Sequence, residues 1–361
     1  MSLPFEIRRN PNPRNDAERE AILANPGFGL HFTDHMAVAS WTAADGWHES
    51  AVVPYGPFML DPAAAVLHYG QEIFEGMKAY RQADGGVALF RPEKNAERFQ
   101  RSAARIALPS LDIADFISSV EAVVNVDRAW VPNLAEQSLY LRPFMFASEA
   151  FLGVRPAKFV TYCCFASPAG AYFASGLKPI NIWITTTYTR ASRGGTGAAK
   201  FGGNYAASLI AQQEAAYHGC DQVMFADGAE RTWVEELGGM NVYLVTTDAE
   251  LITPELTGTI LEGVTRDSIL DLAADHGLVP VERRISIQEM LDGIAAGTVT
   301  EVFACGTAAV ITPIASLQTE HGTFTVGGGE TGEVTAALRS ALLDIQYGRA
   351  EDTRGWLHPV L

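Results

Sequence analysis

A stretch of small residues and turn formers near the middle of the chain separates two parts of different pattern. It reads Ser167-Pro168-Ala169-Gly170-Ala171-Tyr172-Phe173-Ala174-Ser175-Gly176-Leu177-Lys178-Pro179, a composition typical of a connection between folded units. A chain of 361 residues is also too long for one ordinary hydrophobic core. We therefore predict an N-terminal domain over 1–170, an interdomain linker over 171–179 and a C-terminal domain over 180–361.

Apolar periodicity predicts helices and strands on both sides of this stretch. Before it, we predict helices over 93–106 and 113–129, and strands over 31–40, 76–81, 138–147 and 158–166. After it, we predict strands over 180–187, 222–225, 232–235, 241–246 and 301–304, and helices near 205–217, 265–276, 287–296 and 331–344. The predicted fold class is α+β, with an α/β architecture divided into two domains.

Charge and composition restrict the kinds of partner. A formal net charge of −16 without any run of Lys or Arg disfavours binding to nucleic acid or to an anionic membrane surface. The sequence has neither a signal peptide nor an apolar stretch long enough to span a bilayer, which favours a cytoplasmic location. The four cysteines show no C-x-x-C spacing, so we predict reduced core residues and no metal site.

One lysine stands in a glycine-rich segment. Of the five lysines, only Lys200 is embedded in small, flexible residues, Gly194-Gly195-Thr196-Gly197-Ala198-Ala199-Lys200-Phe201-Gly202-Gly203-Asn204-Tyr205. These glycines permit the close approach of a large planar ligand, with which the lysine amine can form a Schiff base. The residues around Lys200 match neither a Walker phosphate loop nor a dinucleotide fingerprint. On spacing alone, a surface loop with a solvated lysine is an equal alternative, and the phenol of Tyr205 is either a second ligand contact or simply hydrated.

Ordered motifs along nearly the whole chain carry a specific resemblance. They are Phe32-Thr33-Asp34-His35-Met36, Leu67-His68-Tyr69, Phe74-Glu75-Gly76-Met77-Lys78-Ala79-Tyr80, Phe90-Arg91-Pro92, Tyr140-Leu141-Arg142-Pro143, Gly170-Ala171-Tyr172-Phe173, Lys200-Phe201-Gly202-Gly203-Asn204-Tyr205, Glu236-Leu237-Gly238-Gly239-Met240-Asn241 and Gly306-Thr307-Ala308. The chain thus resembles the branched-chain amino acid aminotransferases, fold-type IV enzymes that depend on pyridoxal 5'-phosphate. The resemblance implies a smaller α/β N-terminal domain, a larger C-terminal pseudo-barrel domain with surrounding helices, an active site between them and a homodimer.

The resemblance also implies a set of cofactor contacts. Lys200 matches the lysine that forms the internal aldimine and then moves the proton of the substrate. Glu236 matches the carboxylate that pairs with the pyridine nitrogen, although chemistry alone does not choose between it and Glu235. The other implied contacts are Tyr205 at the ring and, at the phosphate, Arg98, Val264, Thr265 and Thr307. Val264 and Thr265 open a predicted helix, whose first amides suit an anion.

The implied substrate contacts form one pocket for branched side chains and for the side chain of glutamate. They are Phe28, Tyr69, Tyr140, Arg142, Tyr172, Thr307 and Ala308. The planar guanidinium of Arg142 suits the distal carboxylate of glutamate or 2-oxoglutarate. The implied reaction is the reversible transfer of the amino group from L-leucine, L-isoleucine or L-valine to 2-oxoglutarate. Preference among the three amino acids and the biosynthetic or catabolic direction stay open.

Other functions stay open at this point. A D-amino acid aminotransferase or an aminodeoxychorismate lyase would share Lys200 and Glu236. A non-catalytic carrier protein would keep the cofactor pocket without turnover, and a nucleotide-binding protein would use the glycine-rich segment without the vitamin.

Overall fold

The structure is a computed structural model that describes residues 3–170 and 178–360. In the described residues up to 170, the chain forms eight strands and four α-helices: β1 (Glu6–Ile7), α1 (Asp16–Ala24), β2 (His35–Thr42), β3 (Gly46–Pro54), α2 (Ala65–Tyr69), β4 (Glu72–Phe74), β5 (Met77–Arg81), β6 (Val87–Phe90), α3 (Pro92–Arg105), α4 (Ile113–Val126), β7 (Ser138–Ala147) and β8 (Phe159–Ala169).

The described residues from 178 onward form ten strands and four α-helices: β9 (Ile180–Thr185), α5 (Gly202–Tyr217), β10 (Gln222–Ala226), β11 (Val234–Leu237), β12 (Asn241–Thr246), β13 (Glu250–Thr253), α6 (Val264–Ala273), β14 (Val279–Glu282), α7 (Ile287–Ala296), β15 (Val299–Gly306), β16 (Val310–Thr319), β17 (Gly322–Thr325), α8 (Glu333–Gln346) and β18 (Leu357–Pro359). Short 3-10 turns follow α4 and α6, at Arg128–Trp130 and Ala274–His276. The predicted α+β fold class is confirmed. Among the described residues, every helix falls short of the length and apolar content needed to cross a membrane.

The first compact unit contains the described residues 3–170, 199–202 and 344–360. In this part of the chain one sheet has the order β1-β3-β2-β8-β7-β5-β6-β18, with β4 paired to β7. Its core joins the sheet to two helices, because Phe99 of α3 contacts Phe116 of α4 (ring centroids 5.2 Å apart) and Tyr162 of β8 (5.9 Å). All three rings are fully buried, and this apolar burial stabilises the unit.

The second compact unit contains the described residues 178–198 and 203–343. Its sheet runs β11-β10-β9-β16-β15-β12-β13-β14, with β17 paired to β16. The helix α5 buries the small side chains of Ala211 and Ala215 against Trp183, Val223 and Phe225. Small residues on this helix face allow it to approach β9 and β10 closely.

This division differs from the predicted one in two stretches. We predicted residues 199–202 and 344–360 as parts of the C-terminal domain, whereas they cluster with the first unit. The reason is hydrogen bonding: the backbone of Lys200 bonds to Ser102 of α3, and β18 pairs with β6. The predicted linker over 171–179 lies largely outside the described residues.

Candidate functional site

The backbone of Lys200 is held by hydrogen bonds within the first unit. Its N–H donates to Ser102 Oγ (2.9 Å), and its carbonyl accepts from the N–H of Phe74 (3.0 Å). Two residues on, the N–H of Gly202 donates to Glu72 Oε1 (2.6 Å). The lysine side chain is half-buried, with Nζ 4.7 Å from the centre of the Phe74 ring. This is not the geometry of a solvated surface loop, because the backbone is hydrogen-bonded on both sides and the side chain is half-buried against Phe74.

Arg98 of α3 forms a buried ion pair with Glu75. Its Nε lies 2.7 Å from Oε1 and its Nη2 lies 2.8 Å from Oε2, while Asn95 Nδ2 donates to Oε2 (2.8 Å). Burial alone would raise the pKa of Glu75, but the positive charges of Arg98 and Lys200 lower it below the ordinary value. The carboxylate therefore fixes the orientation of the guanidinium that we predicted as a phosphate contact.

Four predicted site residues gather around Phe74. Tyr140 and Arg142 are two residues apart on β7 and so lie on the same face of the sheet. Arg142 Nη2 donates to Tyr140 Oη (3.0 Å), and its guanidinium lies 4.9 Å from the centre of the Phe74 ring. Phe28 packs edge-on against Tyr140, with ring centroids 5.2 Å apart. Because Phe74 also contacts the Lys200 amine, these residues form one cluster in the first unit.

One further predicted substrate contact, Tyr69, stands apart from this cluster. Tyr69 ends α2, is 40 % exposed, and donates its hydroxyl to the carbonyl of Leu152 (2.5 Å). Among the contacts known for the described residues, none joins Tyr69 to Arg142. Tyr172 lies outside the described residues.

Glu236 is a buried carboxylate on β11 of the second unit. It is 1 % exposed, and its Oε1 accepts a hydrogen bond from the N–H of Leu261 (2.8 Å). The same oxygen lies 2.9 Å from Nη1 of Arg190, whose side chain is also 1 % exposed. A carboxylate with an arginine partner and a backbone donor can remain ionised inside a protein.

Glu235, the neighbouring carboxylate, has different surroundings. Its Oε1 accepts from the hydroxyl of Thr259, whereas its buried Oε2 has no hydrogen-bond partner among the described residues. Burial raises the pKa of Glu235, opposed by Thr259 and by the charge of Arg190. Glu235 lines a cavity of about 330 Å³ that Glu236 does not line. Strand alternation thus gives the two acids separate environments.

The N-terminus of α6 is shaped for an anion. Val264 and Thr265 begin this helix after Gly263, which gives no side-chain cap to the first amides. Such amides have no partner within the helix and attract negative charge. Only glycine fits at 263, because a Cβ there would lie 2.1 Å from Asn241 Oδ1. Asn241 also donates to the carbonyl of Leu261 (2.9 Å) and so orders the approach to this helix.

The remaining predicted contacts also lie in the second unit. Tyr205 is in the first turn of α5, and its ring lies beside Gly239, where an added Cβ would be 3.4 Å from Tyr205 Cε1. Thr307 and Ala308 are half-buried in the turn that joins β15 to β16. In the described part of the chain, no three or more His, Cys, Asp or Glu side chains are grouped so as to hold a metal ion.

Sequence reasoning did not identify three residues that organise these groups, Glu75, Ser102 and Arg190. Glu75 carried a usable signal, because it is the acid between the apolar pair Ile73-Phe74 and Met77 and such an acid needs a buried partner. Arg190 gave none, because it follows an ordinary Thr-rich stretch and its partners are distant in sequence.

Comparisons of the full-length sequence and of the fold with known proteins identify the same family. The family described as amino-transferase class IV matches residues 72–317. A branched-chain-amino-acid aminotransferase of Mycolicibacterium smegmatis is 55 % identical, over 98 % of this chain and 98 % of its own. The crystal structure of the Escherichia coli branched-chain amino acid aminotransferase superposes with a TM-score of 0.74 at 29 % identity, covering 90 % of this chain and 100 % of that one.

A second solved structure agrees. The branched-chain amino acid aminotransferase of Thermobaculum terrenum, in its PLP (holo) form, is 27 % identical with a TM-score of 0.72, covering 90 % of this chain and 98 % of that one. The fold-type IV prediction is confirmed. The chain therefore belongs to the class IV aminotransferase family and, within it, to the branched-chain-amino-acid aminotransferases.

Proposed function

We propose that the protein transfers the amino group of L-leucine, L-isoleucine or L-valine to 2-oxoglutarate, reversibly, with pyridoxal 5'-phosphate held at Lys200. The observation that carries the proposal is the cluster around Phe74. The Phe74 ring contacts both an amine suited to covalent attachment, 4.7 Å from the ring centre, and a carboxylate-binding guanidinium, 4.9 Å from the ring centre. Both substrates of the reaction need the amine, and the dicarboxylic one also needs the arginine.

The residues fit the cofactor that this family uses. When bound, pyridoxal phosphate supplies an electron-accepting ring and an aldehyde carbon that carries the amino group. The buried carboxylate of Glu236 suits a protonated ring nitrogen. Arg98, Thr307 and the first amides of α6 suit a phosphate, because they offer positive charge and N–H donors in an acidic protein.

Each residue then has a defined task. With the cofactor bound, Lys200 Nζ would take the proton from the substrate Cα and deliver it to the carbon that carries the amino group. The Glu236 carboxylate would stabilise a proton on the ring nitrogen, and the phenol of Tyr205 would offer a hydrogen bond to the ring oxygen. Arg142 binds the distal carboxylate of 2-oxoglutarate, with Tyr140 orienting the guanidinium. The substrate side chain is enclosed by Phe28, Tyr69 and Tyr172, of which Tyr69 and Tyr172 are assigned from family resemblance. The amides at Thr307-Ala308 bind the α-carboxylate of the substrate.

A homodimer belongs to the same proposal. Exposed apolar side chains occupy two segments of the first unit, with Met59 98 %, Leu67 58 %, Leu152 68 % and Val154 88 % exposed. The segments are adjacent, because the N–H of Phe151 donates to the carbonyl of Ala63 (3.0 Å). An apolar patch of this kind commonly marks a protein interface. Sedimentation velocity on the parent and on Met59→Asp tests it, since the charge should shift a dimer toward monomer.

We also place the enzyme in the cytoplasm. All four cysteines are free and buried, as is usual where the cell keeps thiols reduced.

One experiment tests the assignment of the amine. Holoprotein is reduced with borohydride, digested and mapped by mass spectrometry; the cofactor adduct should lie on Lys200. Lys200→Ala should lose leucine transamination, while Lys94→Ala, which removes a half-exposed lysine paired with Glu97, should keep it. L-leucine should be a substrate and D-alanine should not. An adduct on another lysine, or turnover by Lys200→Ala at the parent rate, would show that the proposal is wrong.

A further inference from the structure

Arg190 lies at the junction of three segments of the second unit. Its side chain is 1 % exposed, and it pairs with Glu236 Oε1 at 2.9 Å. The same Nη1 donates to the carbonyl of Thr259 (2.9 Å), and both Nη atoms lie within hydrogen-bond distance of the carbonyl of Gly197 (3.2 and 3.3 Å). One guanidinium thus connects β11, the segment leading to Leu261 and the glycine-rich segment that precedes Lys200 in the chain.

The glycine-rich segment and the segment leading to Leu261 approach each other so closely that only glycine fits at position 197. A Cβ at Gly197 would lie 2.2 Å from the carbonyl oxygen of Thr259. Both carbonyls accept hydrogen bonds from Arg190 Nη1, and the buried cation between them offsets their mutual repulsion. Arg190 is fixed by these carbonyls independently of Glu236, which makes it a rigid support for the carboxylate.

The charge of Arg190 bears directly on the protonation of Glu236. A carboxylate excluded from water takes up a proton readily unless a cation and hydrogen-bond donors stabilise the anion. Glu236 has both, from Arg190 and from the N–H of Leu261. Among the described residues, two other titratable groups interact with this pair: Glu235, whose pKa burial raises and the charge of Arg190 partly lowers, and Cys305, whose pKa is raised by burial and further by the charge of Glu236.

We propose that Arg190 is a positioning residue that keeps Glu236 ionised and correctly oriented. The proton that Glu236 shares with the cofactor ring nitrogen then stays on the nitrogen. The inference rests on the proposed function, in which Glu236 faces that nitrogen. Without the guanidinium, the buried carboxyl group takes the proton for itself. The ring is then a poorer electron acceptor, although the lysine that holds it is unchanged.

The test uses the holoprotein and three variants: Arg190→Gln, Glu236→Gln and the two combined. Arg193→Gln is the matched control, because it removes an exposed arginine of the same loop that lies near Glu235. Three quantities are measured: the pH midpoint of the visible absorbance of bound cofactor, the rate at which L-leucine bleaches that absorbance, and the cofactor affinity by equilibrium dialysis.

Arg190→Gln should still be labelled at Lys200 by borohydride, but its absorbance midpoint should shift from the parent value. Its bleaching should slow by about 10- to 100-fold, the range seen when residues that orient metal ligands are removed. In the double variant, the arginine change should add almost nothing to Glu236→Gln, because it acts through that carboxylate. Arg193→Gln should match the parent.

Two results would overturn the inference while leaving the proposed function intact. In the first, folded Arg190→Gln, labelled at Lys200, keeps the parent midpoint and rate. In the second, the double variant bleaches more slowly than Glu236→Gln by the full factor that Arg190→Gln alone causes. Where Arg190→Gln alone does not fold, a double variant that bleaches about tenfold or more slowly than Glu236→Gln has the same meaning. Failure of the proposed function is distinct, because the parent itself would then lack the adduct at Lys200.

Discussion

At Glu75, burial and charge act in opposite directions on one carboxyl group. Removal from water raises its pKa, but the charge and hydrogen bonds of Arg98, the charge of Lys200 and the hydrogen bond of Asn95 together lower it by more, so the net shift is downward. A carboxyl group with a lowered pKa in the folded state contributes stability above its unfolded pKa. That contribution is lost as the pH falls through the folded pKa.

Glu75→Gln should therefore destabilise the protein in a pH-dependent way. The amide leaves Arg98 buried without this counter-ion, and we expect the free energy of unfolding to fall by about 3 kcal/mol at pH 7. The difference should narrow as the pH falls below about 4.3, the ordinary pKa of a glutamate carboxyl group, because the unfolded parent then takes up a proton that the folded carboxylate resists. Urea unfolding at pH 7 and pH 3.5 measures both values. Glu20→Gln, at an exposed acid of α1, is the control, and an equal loss at both pH values would contradict the argument.

The cysteines allow a second test at this scale. All four are buried free thiols, as predicted from their spacing, and burial raises the pKa of Cys305 to about 12. Burial also raises the pKa values of Cys163, Cys164 and Cys220. Because only the thiolate reacts, we expect Cys305 in native protein at pH 8 to react with a disulfide reagent about 1000-fold more slowly than in unfolded protein. Rapid labelling of even one native thiol would be evidence against this packing.

At the scale of elements, local patterns were predictable from the sequence and distant pairings were not. The helix predicted at 287–296 coincides with α7, whose preceding Ser286 side chain accepts from the N–H of Glu289. The strand predicted at 232–235 instead runs Val234–Leu237, because the amides of Thr232 and Trp233 donate to the carboxylate of Asp227 in a turn. The strand β18 was missed, since its partner β6 lies far away in the chain.

The same distinction applies to the site. The glycine-rich segment around Lys200 and the two-residue spacing of Tyr140 and Arg142 are local features that the sequence displays. The ion pairs of Glu75 with Arg98 and of Arg190 with Glu236 join residues that only the folded chain brings together. The sequence therefore displays the candidate ligand-binding groups more readily than the groups that support them.

The strand β18 leads to a prediction about one tryptophan. Trp356 precedes β18, is 7 % exposed, and packs edge-on against Phe90 of β6 with ring centroids 5.6 Å apart. The guanidinium of Arg91 lies 4.9 Å from its ring centre. Trp356→Ala should lower the free energy of unfolding by about 3 kcal/mol, because it opens a cavity and removes these contacts. Urea titration followed by circular dichroism measures the loss.

The matching control is an aromatic residue that buries little. Tyr217→Ala, at an 88 % exposed position ending α5, should change the free energy of unfolding by less than about 0.5 kcal/mol. Equal effects of the two substitutions would show that the packing of Trp356 contributes no stability.

At the scale of the whole molecule, the net charge of −16 should affect the approach of the two substrates differently, because the substrates themselves differ in charge. A dianion such as 2-oxoglutarate is repelled on approach, whereas zwitterionic leucine is not. Raising the ionic strength from about 20 to 200 mM should increase kcat/KM for 2-oxoglutarate about two- to threefold, because salt screens the repulsion. The value for L-leucine should stay nearly constant. Steady-state kinetics with each substrate varied in turn checks this, and a decrease for 2-oxoglutarate would be the opposite result.

The pairing of β18 with β6 also decides when during synthesis the first unit can be completed. Its earliest described residues leave the ribosome first, yet the strand that covers β6 is made about 270 residues after it. At about 5 to 20 residues per second, this interval lasts roughly 13 to 55 s. Throughout it, β6 has a bare edge that strands of other nascent chains can join. For this protein, the speed of translation past residue 90 should therefore influence how much of the newly made enzyme escapes aggregation.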